Sequence, residues 1–239
     1  MSDNEPCIDS HYTELAAAFV RGRQMQGDDV GLPQDLLDRE LAHLSESELL
    51  TIYSMGDAAE LKLKKFKRKS PLARVAKVLG LLRSIGPAEI LDVGSGRGTF
   101  LWPLLDEFTQ LPVTAIDFDS NRSRDLEAIE FGGIERLDAH CMDLTMLDFE
   151  DDAFDVVTTL EVLEHIPNFA TAIEQAVRVA RRFVIASVPS KSDDNPEHIH
   201  LLTKEILGDT FLRAGCRRVS FDSVLNHLVL VATVGEGAE

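Results

Sequence analysis

Apolar positions along the chain repeat with two periods, and the switches between them divide it into elements. Up to about residue 69 the period is helical. Leu15, Ala18 and Phe19 share one helical face, and Pro33 opens a second segment carrying Leu36, Leu37, Leu41 and Leu44. Ser45, with Glu48 three residues on, has the form of a capping box ahead of Leu49, Leu50 and Ile52, and residues 27–32 read as a loop. Ser70-Pro71 predicts a further helix, with Ser as N-cap and Pro in the first helical position. Its buried side carries Leu72, Val75, Ala76, Leu79 and Leu82, and Gly86-Pro87 stops it.

From Ile90 onward, short apolar runs rich in β-branched residues alternate with helical stretches. Strands are predicted at 90–93, 113–118, 137–142, 154–160, 182–188, 218–224 and 227–234. The last two flank Leu225-Asn226, a hairpin turn. Helices fall at 121–131, after Asn168, and from Thr203 to Ala214, where Gly215 ends the run. The first strand leads into Gly94, Ser95, Gly96, Arg97 and Gly98, then into Phe100, Leu101, Leu104 and Leu105 at helical spacing. Glycines let a backbone turn tightly and let a ligand approach without meeting a Cβ. The helix that follows presents unpaired N–H groups. Strand, glycine turn and helix in that order form a nucleotide-cradling βα unit.

Composition narrows the setting. The chain has 239 residues, enough for one domain with an appendage, and 44% hydrophobic content supports a core. No apolar run is long enough to span a bilayer, and the polar, acidic opening MSDNEPCIDSH carries no secretory signal. Cys7, Cys141 and Cys216 are far apart and odd in number, which points to a reducing, cytoplasmic setting without a disulfide framework or zinc spacing. The formal net charge of −17 repels free polyanions at long range. Residues 62–69, KLKKFKRK, stand out against it. They read either as an anion-binding patch, for RNA or an anionic membrane face, or as a solvated helix face; the acidic whole favours the second.

The glycine spacing chooses among nucleotides. A dinucleotide fold asks for G-x-G-x-x-G, which disfavours an NAD-dependent oxidoreductase. Here Asp92, Gly94, Gly96 and Gly98 give D-x-G-x-G-x-G. This resembles motif I of the class I S-adenosylmethionine-dependent methyltransferases, and the resemblance extends over residues 71–234. It implies an α/β, Rossmann-like fold: a mostly parallel seven-stranded sheet with helices on both faces, here with a helical N-terminal appendage at 1–69 and the cofactor domain at 70–239. Asp117 ends the second strand, where a carboxylate can accept both ribose hydroxyls; Asp119 and Ser120 serve the next helix as caps. The resemblance further implies Ser95 and Phe118 as cofactor contacts, Asp143 against the adenine amino group, the Leu144 backbone against a ring nitrogen, and Glu161 at the cofactor. Arg181-Arg182 stands where the family commonly has a K-P-G-G turn before the fifth strand.

A second constellation follows the fourth strand. Glu161, Glu164 and His165 fall at i, i+3 and i+4, so a helical turn would put all three on one face, with His198 and His200 approaching from the next loop. Two carboxylates with imidazoles suit a divalent cation such as Mg²⁺ or Mn²⁺, with Glu161, Glu164, His165 and His200 as ligands. The E-x-x-E-H run resembles the Hen1 family, which methylates RNA 3′-terminal ribose, and the ubiquinone-biosynthesis O-methyltransferases. Generic class I methyltransferases share the run without a metal, and there Glu161 touches the cofactor while Glu164-His165 holds the loop; without a metal His165, His198 or His200 could serve as base, and the catalytic candidates are Glu164, His165 and His198. The expectation is therefore S-adenosylmethionine-dependent methyl transfer to an oxygen of a small molecule. The alternatives are metal-dependent RNA methylation and a non-catalytic cofactor-binding scaffold.

Overall fold

A computed structural model describes residues 11–192 and 194–235. The sheet holds seven strands: β1 (Ile90–Val93), β2 (Val113–Asp117), β3 (Leu137–Cys141), β4 (Phe154–Leu160), β5 (Ala180–Pro189), β6 (Arg218–Val224) and β7 (His227–Thr233). Their order is β3-β2-β1-β4-β5-β7-β6. The first five run parallel, and β7 is antiparallel to both β5 and β6. This is the expected doubly wound sheet, closed by the expected hairpin. Strand residues alternate between two apolar layers. Ile90, Ala115, Val156 and Ile185 face one layer; Leu91, Ile116, Val157 and Val184 face the other. A sheet buried on both faces needs apolar neighbours along the strand, which is why β1 and β4 read as runs.

Helices α1 (Thr13–Met25), α2 (Gln34–Asp38), α3 (Glu46–Ala58), α4 (Ala73–Ile85), α5 (Leu101–Glu107) and α6 (Ser120–Phe131) share the first layer; α7 (Phe169–Val179) and α8 (Lys204–Arg213) cover the second. The N-terminal segment, expected as a separate appendage, is continuous with the first layer's core. Helix α1 is therefore buried on more than one side. It meets α6 so closely that a Cβ on Gly22 would sit 1.7 Å from the Ala128 carbonyl oxygen, and one on Gly132 1.8 Å from that of Ala18. Within that layer Phe66 bridges two helices, with ring centroids 5.4 Å from Phe19 of α1 and 5.2 Å from Trp102 of α5.

The basic stretch is not a solvated helix face. Residues Leu63–Phe66 form a short 3₁₀ turn with Leu63 and Phe66 buried. The Lys65 ammonium lies 3.8 Å from the Phe19 ring centre and 2.7 Å from the Asp125 carboxylate. Arg68 grips Asp106 through two 2.5 Å bonds. Lys62, Lys64, Lys67 and Lys69 stay exposed. Cation–π and ion-pair contacts thus turn half of the stretch inward as a clasp. Helix α4 begins at Ala73 with Leu72 at its N-cap, not at Ser70-Pro71. Its buried face starts at Val75 and continues through Val78, Leu79 and Leu82, leaving Leu72 and Ala76 exposed. The capping box forms as expected, with the Glu48 carboxylate accepting from the Ser45 N–H at 2.7 Å. Asp119 caps α6. Arg181 and Arg182 make no turn, because α7 runs straight into β5; both instead pair with Asp155 at the opposite end of the sheet. Cys141 and Cys216 are unpaired, while Cys7 and residues 1–10 of the opening lie outside the described residues. No helix among the described residues is long and apolar enough to cross a membrane.

Two glycines with opposite surroundings test the packing of α1. Gly22→Ala must push α1 off α6 and should destabilise the protein by about 1–3 kcal/mol. Gly80→Ala in α4, where only the far end of Arg83 is in reach, should be neutral or stabilise by roughly 0.5–1 kcal/mol. Urea unfolding of both variants measures the contrast, and equal effects would contradict the close α1–α6 crossing.

Candidate functional site

The site is built at the carboxyl ends of β1, β2 and β4. The turn after β1 holds Gly94, Gly96 and Gly98 at φ of +69°, +56° and +77°, the left-handed region that a side chain disfavours. Space adds to the demand. A Cβ on Gly94 would meet Val162 at 2.4 Å, and one on Gly98 would strike the Trp102 ring at 1.8 Å. Gly96 faces the cavity itself, where a side chain would project into the cradle beside Asp117. That cavity, of about 240 Å³, is lined by the turn together with Asp92, Arg74, Val75, Arg122 and Glu161. Helix α4 covers it through Arg74 and Val75.

Asp92 lies opposite Thr158 in the β1–β4 register. Its carboxylate accepts from Ser95 Oγ at 2.7 Å and Thr158 Oγ1 at 2.8 Å. Burial pushes the Asp92 carboxyl up to about 6; the two hydroxyls oppose that shift and the nearby Asp117 charge adds to it. Asp117 is also buried. One of its oxygens accepts from the Gly96 N–H at 2.8 Å and the other from the Asp119 N–H at 3.0 Å, with Arg122 3.8 Å away. Phe118 stands exposed beside it. Asp143 is exposed at the end of the neighbouring β3, where it accepts from the Thr145 N–H at 2.8 Å and hydroxyl at 2.9 Å, and Leu144 is buried.

The three residues expected on one helical face separate. Glu161 adopts φ +59°, and only Leu163–His165 forms a 3₁₀ turn. The reversal sends the Glu161 side chain toward β5 and β7. There it accepts from Ser187 Oγ at 2.7 Å, pairs with His227 Nε2 at 3.0 Å and lies 3.6 Å from Arg74. Glu164, His165 and His198 do converge, with donor atoms within 4.8 Å of one another. Glu164 is fully buried. His165 Nδ1 lies 2.8 Å from the Glu197 carbonyl oxygen; a proton on Nδ1 makes that bond and leaves the Nε2 lone pair available. His200, expected as a metal ligand, turns to the Pro167 carbonyl oxygen at 3.3 Å and meets the Phe169 ring edge to face. Glu161 and His200 thus leave the expected metal set and His198 enters it. Sequence reasoning overlooked Arg74 and His227, because each reaches the site through a contact distant in sequence, and it overlooked Arg122, which approaches Asp117 from the first turn of α6.

Residues 91–182 match the family described as methyltransferase domain. Over 83 residues the chain is 36% identical to a ubiquinone biosynthesis O-methyltransferase of Idiomarina loihiensis. That alignment covers 34% of this chain and 32% of the relative, so the match spans about a third of each. Among solved structures, a SAM-dependent methyltransferase from Aquifex aeolicus aligns with TM-score 0.55 and 18% identity, over 70% of this chain and all of the other. The methyltransferase domain of a bacterial Hen1 aligns with TM-score 0.55 and 19% identity, over 68% and 97%. At such identities the structural matches speak for the fold. The chain has the fold of the class I S-adenosylmethionine-dependent methyltransferases, and its residues 91–182 are similar to a methyltransferase-domain family.

The raised Asp92 carboxyl has a measurable consequence. Between pH ~4 and ~6 the folded protein keeps a proton that the unfolded chain has lost. Stability therefore falls as pH rises through that window, and above it the cost of burying the charge is fully present. Asp92→Asn removes that charge. Its stability relative to the parent should improve by on the order of 2–3 kcal/mol between pH 4 and pH 7. Urea unfolding at the two pH values reads this directly; a difference independent of pH would contradict a buried, proton-retaining Asp92.

Proposed function

We propose that the protein is an S-adenosylmethionine-dependent methyltransferase that acts on an oxygen of a small molecule. The observation that carries this reading is the adjacency of two groups on one connection. The glycine-turn cavity ends at Glu161, and the Glu164–His165–His198 group begins three residues later. The cavity fits the cofactor. Its glycines leave the cradle open, Asp117 offers its carboxylate to ribose hydroxyls, and Arg74 suits a carboxylate at the far end. Asp92, Asp117 and Glu161 favour a ligand carrying positive charge. Phe118, Asp143 and Leu144 stand at the strand ends for the adenine. The bound cofactor supplies a methyl group already activated on a sulfonium.

What remains for the chain is to orient the acceptor and remove its proton. Glu164 and His198 can hold an acceptor hydroxyl, and the His165 Nε2 lone pair can take its proton. The ubiquinone-pathway relative supports an oxygen acceptor on a small molecule. The acidic surface and the inward-turned Lys65 and Arg68 disfavour a polyanion. A second reading follows from the close approach of the three donors: a divalent cation held by Glu164, His165 and His198, which would lower the pKa of an acceptor hydroxyl. The likeness to a Hen1 domain keeps an RNA ribose acceptor with that reading.

Two measurements test this. Asp117→Ala should weaken S-adenosylmethionine binding by on the order of 1–3 kcal/mol in calorimetry, and undiminished affinity would remove Asp117 from the ribose. Turnover to S-adenosylhomocysteine should be assayed with a panel of catechols and phenols and with 3′-terminal RNA, each with and without chelator. Small-molecule turnover that survives chelation supports the first reading. Loss with chelator, restored by Mg²⁺ or Mn²⁺, supports the cation.

A further inference from the structure

Glu161 is the one residue of the cavity wall whose side chain is tied to three other elements. Its backbone sits at φ +59°, a conformation that costs a non-glycine residue of order 1–3 kcal/mol and persists only where the surroundings impose it. What imposes it is a row across the sheet edge. The Glu161 N–H donates to the Ser187 carbonyl at the end of β5, and the Ser187 hydroxyl donates back to Glu161 Oε1 at 2.7 Å. The antiparallel β5–β7 register sets His227 opposite Pro189, at the same edge. From there His227 Nε2 reaches Glu161 Oε2 at 3.0 Å, with its side chain only 23% exposed. Each carboxylate oxygen thus has a donor behind it. Arg74 of α4 approaches Oε1 at 3.6 Å from the cavity side. Among the other charges of the flanking elements, Lys77 of α4 pairs with Asp222 of β6, Arg83 of α4 with Glu107, and Arg181 and Arg182 of β5 with Asp155.

We infer that His227 is a positioning residue for Glu161, and that Glu161 so held takes the α-ammonium of the cofactor's methionyl tail. Arg74 takes the tail's carboxylate. The inference rests on the cofactor reading above and needs no knowledge of the methyl acceptor. A carboxylate held by two donors keeps its direction without reorganising when a cation arrives, which is where preorganised charge gains its effect.

The test is calorimetry with three probes. S-adenosylmethionine and S-adenosylhomocysteine carry the amino-acid tail; 5′-methylthioadenosine keeps the nucleoside and lacks it. His227→Phe should weaken the first two by about tenfold or more and leave 5′-methylthioadenosine within twofold of the parent. His227→Gln, which retains an N–H donor, should recover most of the loss. Glu161→Gln should reproduce the His227→Phe pattern. Equal losses for all three probes would mean general distortion of the site and overturn the inference, as would unchanged binding of the tailed probes. Thermal melts of each variant separate misfolding from either outcome. A parent protein that binds none of the three probes would refute the cofactor reading itself. One that binds them all, with His227→Phe inert, would refute only this proposal.

Discussion

The site depends on a carboxylate that reaches across two strands. Asp117, at the end of β2, accepts the N–H of Gly96 from the turn after β1. A glycine-rich turn is conformationally free, and without an external acceptor its shape would be one of many. The bond to Asp117 selects one, and the Asp119 N–H fixes the other carboxylate oxygen in turn. Parallel pairing of β1 with β2 brings those atoms together. Turn, sheet register and the start of α6 therefore stand or fall as a unit, and the cavity is what they leave between them.

Around that cavity the aspartates are more deeply buried than the arginines. Asp92 and Glu161 line it, with Asp117 held behind the Gly96 N–H; Arg74 stands 3.6 Å from Glu161, Arg122 3.8 Å from Asp117, and Arg97 lines the cavity from the turn. Burial makes a charged carboxylate costly, and the Asp92 carboxyl registers the cost as a pKa of about 6. A ligand bearing positive charge relieves it.

Much of this was legible in the sequence because it is local. The apolar run of β1, the alternating glycines, the Asp at the end of β2 and the capping box of Ser45 with Glu48 each carry their signal within a few residues. What escaped was non-local. Nothing in the letters KLKKFKRK says that Lys65 finds Asp125 and the Phe19 ring, sixty and forty-six residues away in the chain. Nothing in E-x-x-E-H says that its first Glu takes a left-handed conformation, since glutamate has no preference for one. That single backbone reversal took Glu161 away from the face it was expected to share with Glu164 and His165. His227 carried no signal at all, because only the antiparallel return of β7 brings it to the edge where β4 ends.

The ring of Trp102 joins two regions that the chain order keeps apart. It is the sole tryptophan of the chain, it fills the space that the missing Cβ of Gly98 leaves beneath the glycine turn, and its other neighbour is Phe66 of the N-terminal clasp. A chromophore in that position is a built-in optical probe. Its emission senses the turn from one side and the docking of residues 11–69 from the other, so ligand occupancy and detachment of the N-terminal helices become two signals of one fluorophore, read without any label.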